Sequence, residues 1–579
     1  MLVEQLSGAG VQPGSVVALV LAPGRGAALA WDGGSTAVAA PSPYAELAQV
    51  EADLAPRWVW WNARSTATSL VEAGLRPRAC WDLGAVGRLL HGLQRDDPGA
   101  VWAASYDLPA PDPAEGGLTL LDLAGEDDSP VRPDGQLSRE WLRGSWTEDL
   151  GAARRWAELA LALQQRQDLG VRRLPDHRRA AGRTSLPWLT ALSESMAALL
   201  CVELEHDGLA VDRSVLEDFL VGTVGPRPLT EADEAASRRA RDEVVWRLFP
   251  GDPVDLRNPA LVRDLLARVG IDVPDTRSWR LEPYAESSPA VAALLAWRKA
   301  ERIATTYGWS WAERDIGADD RLRGVWGAAE GAGRMTASAG LHNLPAELRP
   351  AVRPPEGRVL VRADLGQIEP RVLAAVSGDD ALAAAAREDD MYSPVAAALG
   401  SDRPTAKVAV LAAMYGQTTG PAGAALKDMD RAYPVAMAFL RDAEDHGRRG
   451  VDLRTYGGRL LRLSTLTTAL EDAGGAESTL AHSYGRFARN AVVQGAAAEL
   501  FKAWAATVRA GLVGLDARIV LCLHDELLVE AAHDHAQRVV DVVEGSLQST
   551  AAWWCAGSGV RLVADTGIAA SWADAKDAG

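Results

Sequence analysis

The segment RVLVRADLGQIEPRVLAAVSGDD, residues 358–380, constrains the fold of this chain more than any other. A run of strand-forming apolar residues ends on Asp364, and an amphipathic helical pattern begins almost at once. A strand therefore delivers one carboxylate to its own end, where a lone acid has little to do without a partner. Far downstream, in ARIVLCLHDELLVEA (517–531), apolar residues flank His524, Asp525 and Glu526 on both sides, like two strands joined by a tight acidic turn. Alone, that turn reads as a solvated hairpin tip. Paired with Asp364 it reads differently, because two carboxylates at the edge of one sheet can hold two divalent cations for a phosphoryl displacement. Hard Mg²⁺ suits carboxylates, with substrate phosphate oxygens completing its shell.

Such a site needs an element that holds phosphate, and SDRPTAKVAVLAAMYGQTTG (401–420) supplies a candidate. Ser401 or Asp402 can cap a helix, and Pro404 is tolerated in its first turn. Arg403, Lys407, Leu411 and Tyr415 recur at steps of four and share one slowly drifting face. Arg403 and Lys407 lie near the helix N-terminus, which already favours an anion. A solvated basic face is the alternative. Arg486, Asn490 and Gln494 also recur at steps of four; by themselves they read as surface.

The chain has 579 residues, too many for one core, so three or four domains or subdomains are expected. Its start, MLVEQLSGAG, lacks a basic region followed by an apolar one, and no apolar run approaches a membrane span. A cytoplasmic, nucleoid-associated location and no membrane partner are expected. The four cysteines lie far apart and offer no CxxC pattern, so reduced, mostly buried thiols are expected. A net charge of −18 argues against nonspecific adhesion to nucleic acid but leaves room for a locally basic cleft.

Residues 1–120 alternate short apolar stretches with Gly and Pro and read as a mixed α/β unit, followed by a polar loop around 125–137. Helical patterns run from about 138 to 315. From about 320 strand-like and helical pieces mix, and all the strong motifs fall there.

Taken together, DLGQIEPR, RPTAKVAVLAAMYG and LHDE resemble motifs A, B and C of family A DNA polymerases, the bacterial DNA polymerase I group, in order and spacing. GRMTASAGLHNLP (333–345), TYGGRLLRL (455–463), RFARNAVVQGAAAELFK (486–502) and VELEHDGLAVDRSVLEDF (202–219) are similar to further family segments, so the resemblance covers roughly 190–579. It implies a multidomain α/β and α+β protein: an RNase H-like exonuclease-type domain, then a right-hand polymerase domain with thumb, palm and fingers. The implied boundaries are 1–185 for a degenerate 3′–5′ exonuclease-like domain and 186–320 for the thumb and the start of the polymerase domain. The palm then covers 321–380 and 476–579, with the fingers at 381–475 between its two parts.

The resemblance implies a template-directed DNA polymerase, monomeric, acting on primer-template DNA and deoxynucleoside triphosphates with two Mg²⁺ ions, for which Mn²⁺ can substitute. Asp364 and Asp525 would bind the metals, with Glu526 just outside them. Arg403 and Lys407 would hold the triphosphate, Lys407 also donating a proton to pyrophosphate. Tyr415 would pack on the templating pair, and Glu369 would crowd a ribose 2′-oxygen. Gln367, Leu411 and Tyr392 complete the nucleotide-binding set. Arg334, Asn343, Arg486, Asn490, Gln494 and His524 would contact DNA, reading the minor-groove acceptors that every correct pair presents. Several positions depart from the family pattern. Leu365 and Gly366 stand for Tyr-Ser, Pro370 for Leu, Leu411 for an aromatic and Tyr392 for a histidine, which bears on nucleotide affinity and sugar discrimination.

The front of the chain occupies the place of the proofreading domain without its acids. VVALVLAPGRG contains none, and in WNARSTATSL Asn62 remains while Thr66 stands where an Asp is required. Asp149 matches a last acid, though the accompanying Tyr is missing. Loss of proofreading is expected, with Asp82 or Asp149 as the acids of any remapped site. Two rivals are a noncatalytic DNA-binding scaffold and a nuclease acting through the front domain.

Overall fold

The computed structural model describes residues 2–111, 129–180, 182–416, 421–465 and 477–576. Part of the polar loop expected at 125–137, and the end of the 401–420 segment, lie outside them.

The front unit is built on a five-stranded sheet. Val16–Ala22, Gly26–Trp31 and Gly34–Ala39 form an antiparallel meander, and Arg57–Trp60 and Ala79–Asp82 add in parallel beside the first strand, giving the order third, second, first, fourth, fifth. The first two strands are almost wholly buried, which is why they read as apolar runs rather than alternating ones. The stretch WVWW (58–61) shows the two-residue period directly. Trp58 and Trp60 enter one core, whereas Val59 and Trp61 enter the core on the other face. There Trp61 stacks on Trp156 of the helix Leu150–Arg172, with ring centroids 4.3 Å apart.

The helix Leu186–Asp207 follows and belongs to two cores at once. Leu199 and Val202 pack under the front sheet, while Leu200, Cys201 and Leu204 join the large core of the rest of the chain. Its Glu194 is 2% exposed and meets Lys502 at 2.8 Å and Arg459, both also buried. Burial alone would raise the Glu194 carboxyl, but the two cations outweigh it and hold the carboxyl low; burial pushes Lys502 down to about 8. Residues 245–297 form a smaller helical unit with its own core, including Phe249, Leu266, Leu294 and Trp297.

A four-stranded antiparallel sheet carries both acid-bearing segments. Its order is Ala517–Leu523, Glu526–Ala532, Arg358–Leu365, Ala564–Ala569. The chain between Arg358–Leu365 and Ala517–Leu523 is mainly helical and ends in the 35-residue helix Glu477–Gly511. That helix crosses Pro434–Arg448 very closely: a Cβ on Gly447 would fall 2.4 Å from the Tyr484 carbonyl oxygen, so only glycine fits there.

All four cysteines are free and buried, and burial pushes Cys201 and Cys555 up to about 12, so none is a ready nucleophile. Among the described residues no helix is long and apolar enough to cross a membrane.

Candidate active site

The strand Arg358–Leu365 runs between two neighbours and ends at the sheet edge, where Leu365 N–H donates to the Asp525 carbonyl at 2.9 Å and Gly366 N–H to Val563 at 3.0 Å. Gln367 then takes a left-handed conformation (φ 57°), and the helix Ile368–Ser377 starts, with Pro370 in its first turn. In the same sheet, a turn at His524 (φ 54°) and Asp525 joins Ala517–Leu523 to Glu526–Ala532. Asp364 and Asp525 are thereby brought together. Asp525 is pushed up to about 6, chiefly by burial and next by the charge of Asp364, with Glu526 and Glu369 adding to it.

Glu526 differs from the expected turn acid. It is the first residue of the strand Glu526–Ala532, and its buried carboxylate accepts from Arg362 Nε and Trp572 Nε1, both at 2.7 Å.

A cleft of about 190 Å³ opens beside Asp525. Gln367, Glu369, Tyr392 and Leu411 line it together with Arg334, Gln494 and His524. Glu369 accepts from Arg334 Nη2 at 2.7 Å and from the Tyr415 hydroxyl at 3.2 Å. Ile368, Pro370, Ala497 and Ala498 also line it.

Asp402 caps the helix Arg403–Tyr415 by accepting from Thr405 N–H at 2.8 Å, and Pro404 falls in the first turn as expected. Arg403, at the exposed first position, is engaged by Asp390 through Nε (2.8 Å) and Nη2 (3.0 Å) and lies 5.6 Å over the Tyr392 ring. Asp390 also accepts from Gln367 Nε2 at 2.9 Å, and Arg403 foremost holds its carboxyl far below the usual range. Lys407 is exposed one turn on. Arg486, exposed beside Gly416, and half-buried Asn490 sit with Gln494 on the long helix. The Asn490 Oδ1 is buried without a hydrogen-bond partner among the described residues. Asn343 is exposed at the end of a short 3₁₀ turn and is not among the cleft residues.

Sequence reasoning assigned no part to Arg362, Asp390, Arg371 or Trp572. Arg371, 1% exposed, donates to the carbonyls of Gly366, Ala386, Glu388, Asp389 and Arg561, and so fixes the loop that presents Asp390. A charged residue inside an otherwise apolar run, as in RVLVRAD, was the available signal for Arg362.

In the front unit Asp82 and Asp149, the acids named for a remapped site, both cap helices. Asp82 is buried and caps the helix Leu83–His91 at Ala85 N–H (2.7 Å), also accepting from Trp60 Nε1 at 3.1 Å; burial raises it to about 7. Asn62 caps Ala63–Glu72, and Asp149 caps Leu150–Arg172. Among the described residues no three His, Cys, Asp or Glu side chains are grouped so as to hold a metal ion.

Both acid-bearing strands and the capped basic helix fall within residues 268–574, which match the sequence family described as DNA polymerase family A. The chain belongs to that family. Family A DNA polymerases generally use divalent metal ions. Similar curated members include the thermostable DNA polymerase I of Thermus thermophilus, 28% identical over 511 residues, covering 79% of this chain and 56% of that protein. The DNA polymerase I of Pseudomonas aeruginosa is 28% identical over 411 residues, covering 64% and 43%. This family A chain spans about half the length of the curated relatives it matches. The fold is that of the POL domain of Pol1 from M. smegmatis, solved in complex with DNA primer-template and dNTP: TM-score 0.67, 21% identity, 99% of this chain and 98% of that one covered.

Proposed function

We propose that this chain is a template-directed DNA polymerase that extends a primer 3′-hydroxyl with deoxynucleotides and does not proofread. The observation that carries the reading is the convergence of Asp364 and Asp525 at one sheet edge, beside a cleft whose far wall includes the Arg403–Tyr415 helix. Family membership, and the primer-template and dNTP held by the similar mycobacterial chain, support it.

The two carboxylates fit a hard divalent ion. They offer oxygen ligands only, and the raised Asp525 is a carboxylate short of nearby positive charge. Asp364 and Asp525 would hold Mg²⁺ or Mn²⁺, which when bound supplies positive charge to the attacking and departing oxygens of an in-line displacement. Arg403 leaves Asp390 to pair with the triphosphate, a planar fork suited to phosphate, and Lys407 adds a second cation and the proton for departing pyrophosphate. Glu369, fixed by Arg334 and Tyr415, stands where it crowds a ribose 2′-oxygen, and Tyr415 closes against the templating pair. Arg486, Asn490, Gln494, His524 and Arg334 face the duplex; Asn343 steadies template and primer. In this reading residues 1–185 are a catalytically silent exonuclease-like domain, 186–320 include the thumb, 321–380 and 476–579 form the palm, and 381–475 form the fingers. The DNA partner and a monomeric state belong to the same proposal.

Incubation with a 5′-labelled primer on a longer template, Mg²⁺ and dNTPs tests it. Lengthening with dNTPs and an intact primer without them is the expected result, and Asp364→Ala should abolish extension while DNA binding persists. Shortening without dNTPs would show that the front acids were misjudged. No change in either lane, repeated with Mn²⁺, would leave a DNA-binding scaffold.

A further inference from the structure

The strand that carries Asp364 holds a second charged side chain that the proposed chemistry does not use. Arg362 lies two residues earlier on the same strand face and is 4% exposed. Its three nitrogens serve three carboxylates on three adjacent strands. Nε donates to Glu526 Oε1 at 2.7 Å, Nη1 lies 3.5 Å from Asp565 Oδ2, and Nη2 donates to Asp364 Oδ2.

The register explains this geometry. Asp364 stands opposite Glu526 on one side and Asp565 on the other, so the three acids form a row across the sheet. Arg362 is one step behind, opposite Gly567, which has no side chain to fill the space. Neighbouring strands lie about 4.8 Å apart, and like charges directly opposite one another are destabilising. Three carboxylates at that spacing need a neutralising cation. As they stand, no three acids among the described residues are grouped to hold a metal ion, and a guanidinium supplies the charge that a hard divalent ion would bring once the row was free to close on it. Trp572 Nε1 donates to the same Glu526 oxygen at 2.7 Å and fixes the far end of the row.

We propose that Arg362 is a resident cation that stands in for a metal ion on the inner side of this carboxylate row, confining divalent-ion binding to the outer pair, Asp364 and Asp525. The inner cluster rests on geometry alone; the outer pair rests on the polymerase reading above. Arg362 is a positioning residue, acting through Asp364 and Glu526.

The test is Mn²⁺ binding to the full chain without DNA or nucleotide, followed by loss of the free-ion electron paramagnetic resonance signal. Arg362→Met, similar in length but unable to pair, should bind one Mn²⁺ more per chain than the parent, and Mn²⁺ should raise its Tm more than the parent's. Arg362→Lys keeps the charge and should bind no additional ion. A folded Arg362→Met protein with the parent's stoichiometry overturns the proposal. If that variant does not fold, the more exposed Asp565→Asn decides. With one acid gone Arg362 bears harder on Asp364, so Mn²⁺ affinity should fall about threefold at unchanged stoichiometry. Unchanged affinity, or loss of an ion, counts against the proposal. Failure of the polymerase reading is separable: the parent would not extend a primer, and Asp525→Asn would bind Mn²⁺ as the parent does.

Discussion

Asp525 carries a measurable consequence by itself. Its carboxyl is raised to about 6 in the folded chain from an ordinary value of 3.8, so the folded state binds a proton more tightly than the unfolded state. A raised carboxyl costs nothing while both states are protonated. The penalty grows as pH rises from about 4 through about 6 and is complete above that. Asp525→Asn removes the penalty along with the proposed metal ligand. In metal-free buffer the variant should melt at a higher temperature than the parent at pH 8, with the difference vanishing at pH 4, while primer extension is lost at every pH. Thermal melts in EDTA across that range check the sign, and a lower Tm for the variant at pH 8 would contradict it. Asp364 and Asp525 were legible in the sequence because each ends or follows an apolar run. Glu526 was not. Whether the third residue of HDE lies in the turn or opens the strand depends on register, and register is set by pairing with a strand more than 150 residues away.

Among the elements, the helix Arg403–Tyr415 was readable to its cap, since Asp402, Pro404 and the four-residue period are all local signals. What it meets was not readable. Asp390 precedes the helix by a separate short helix, and nothing in DDMYSPVAAALG announces that its acid folds back onto Arg403. In the proposed mechanism that ion pair competes with a triphosphate for the same guanidinium. Asp390→Asn should therefore lower the KM for dNTP roughly two- to fivefold, the scale of an exposed bidentate pair, with kcat little changed. Steady-state extension at varied dNTP checks it; a raised KM would mean that Asp390 orients Arg403 for the phosphate rather than withholding it. Asp402→Ala acts on the same helix in another way. Losing the cap should cost about 1 kcal/mol of local stability, seen as faster amide exchange in the first turn without a change in global Tm.

For the whole molecule, the front sheet was visible in the strand-rich first 120 residues, but its join to the rest was not. Glu194 lies more than 250 residues before Arg459 and Lys502 in the chain, yet the three form one buried charge cluster between the Leu186–Asp207 helix and the later core. Glu194→Gln leaves two buried cations without their counter-ion and should cost about 3–5 kcal/mol, read as a lower denaturant midpoint. A shift within error would mean that water reaches the cluster. The helix that bears Glu194 also has an evolutionary reading. Because it walls two cores, the molecule has no seam behind residue 185: cutting there would turn Leu199 and Val202 toward solvent. Drift can erase acids one at a time from the front sheet at no cost to the rest, yet a deletion of that sheet would arrive as an aggregating protein. On the reading proposed above, a lineage in this position would keep the architecture of an exonuclease-like activity after the activity itself had gone.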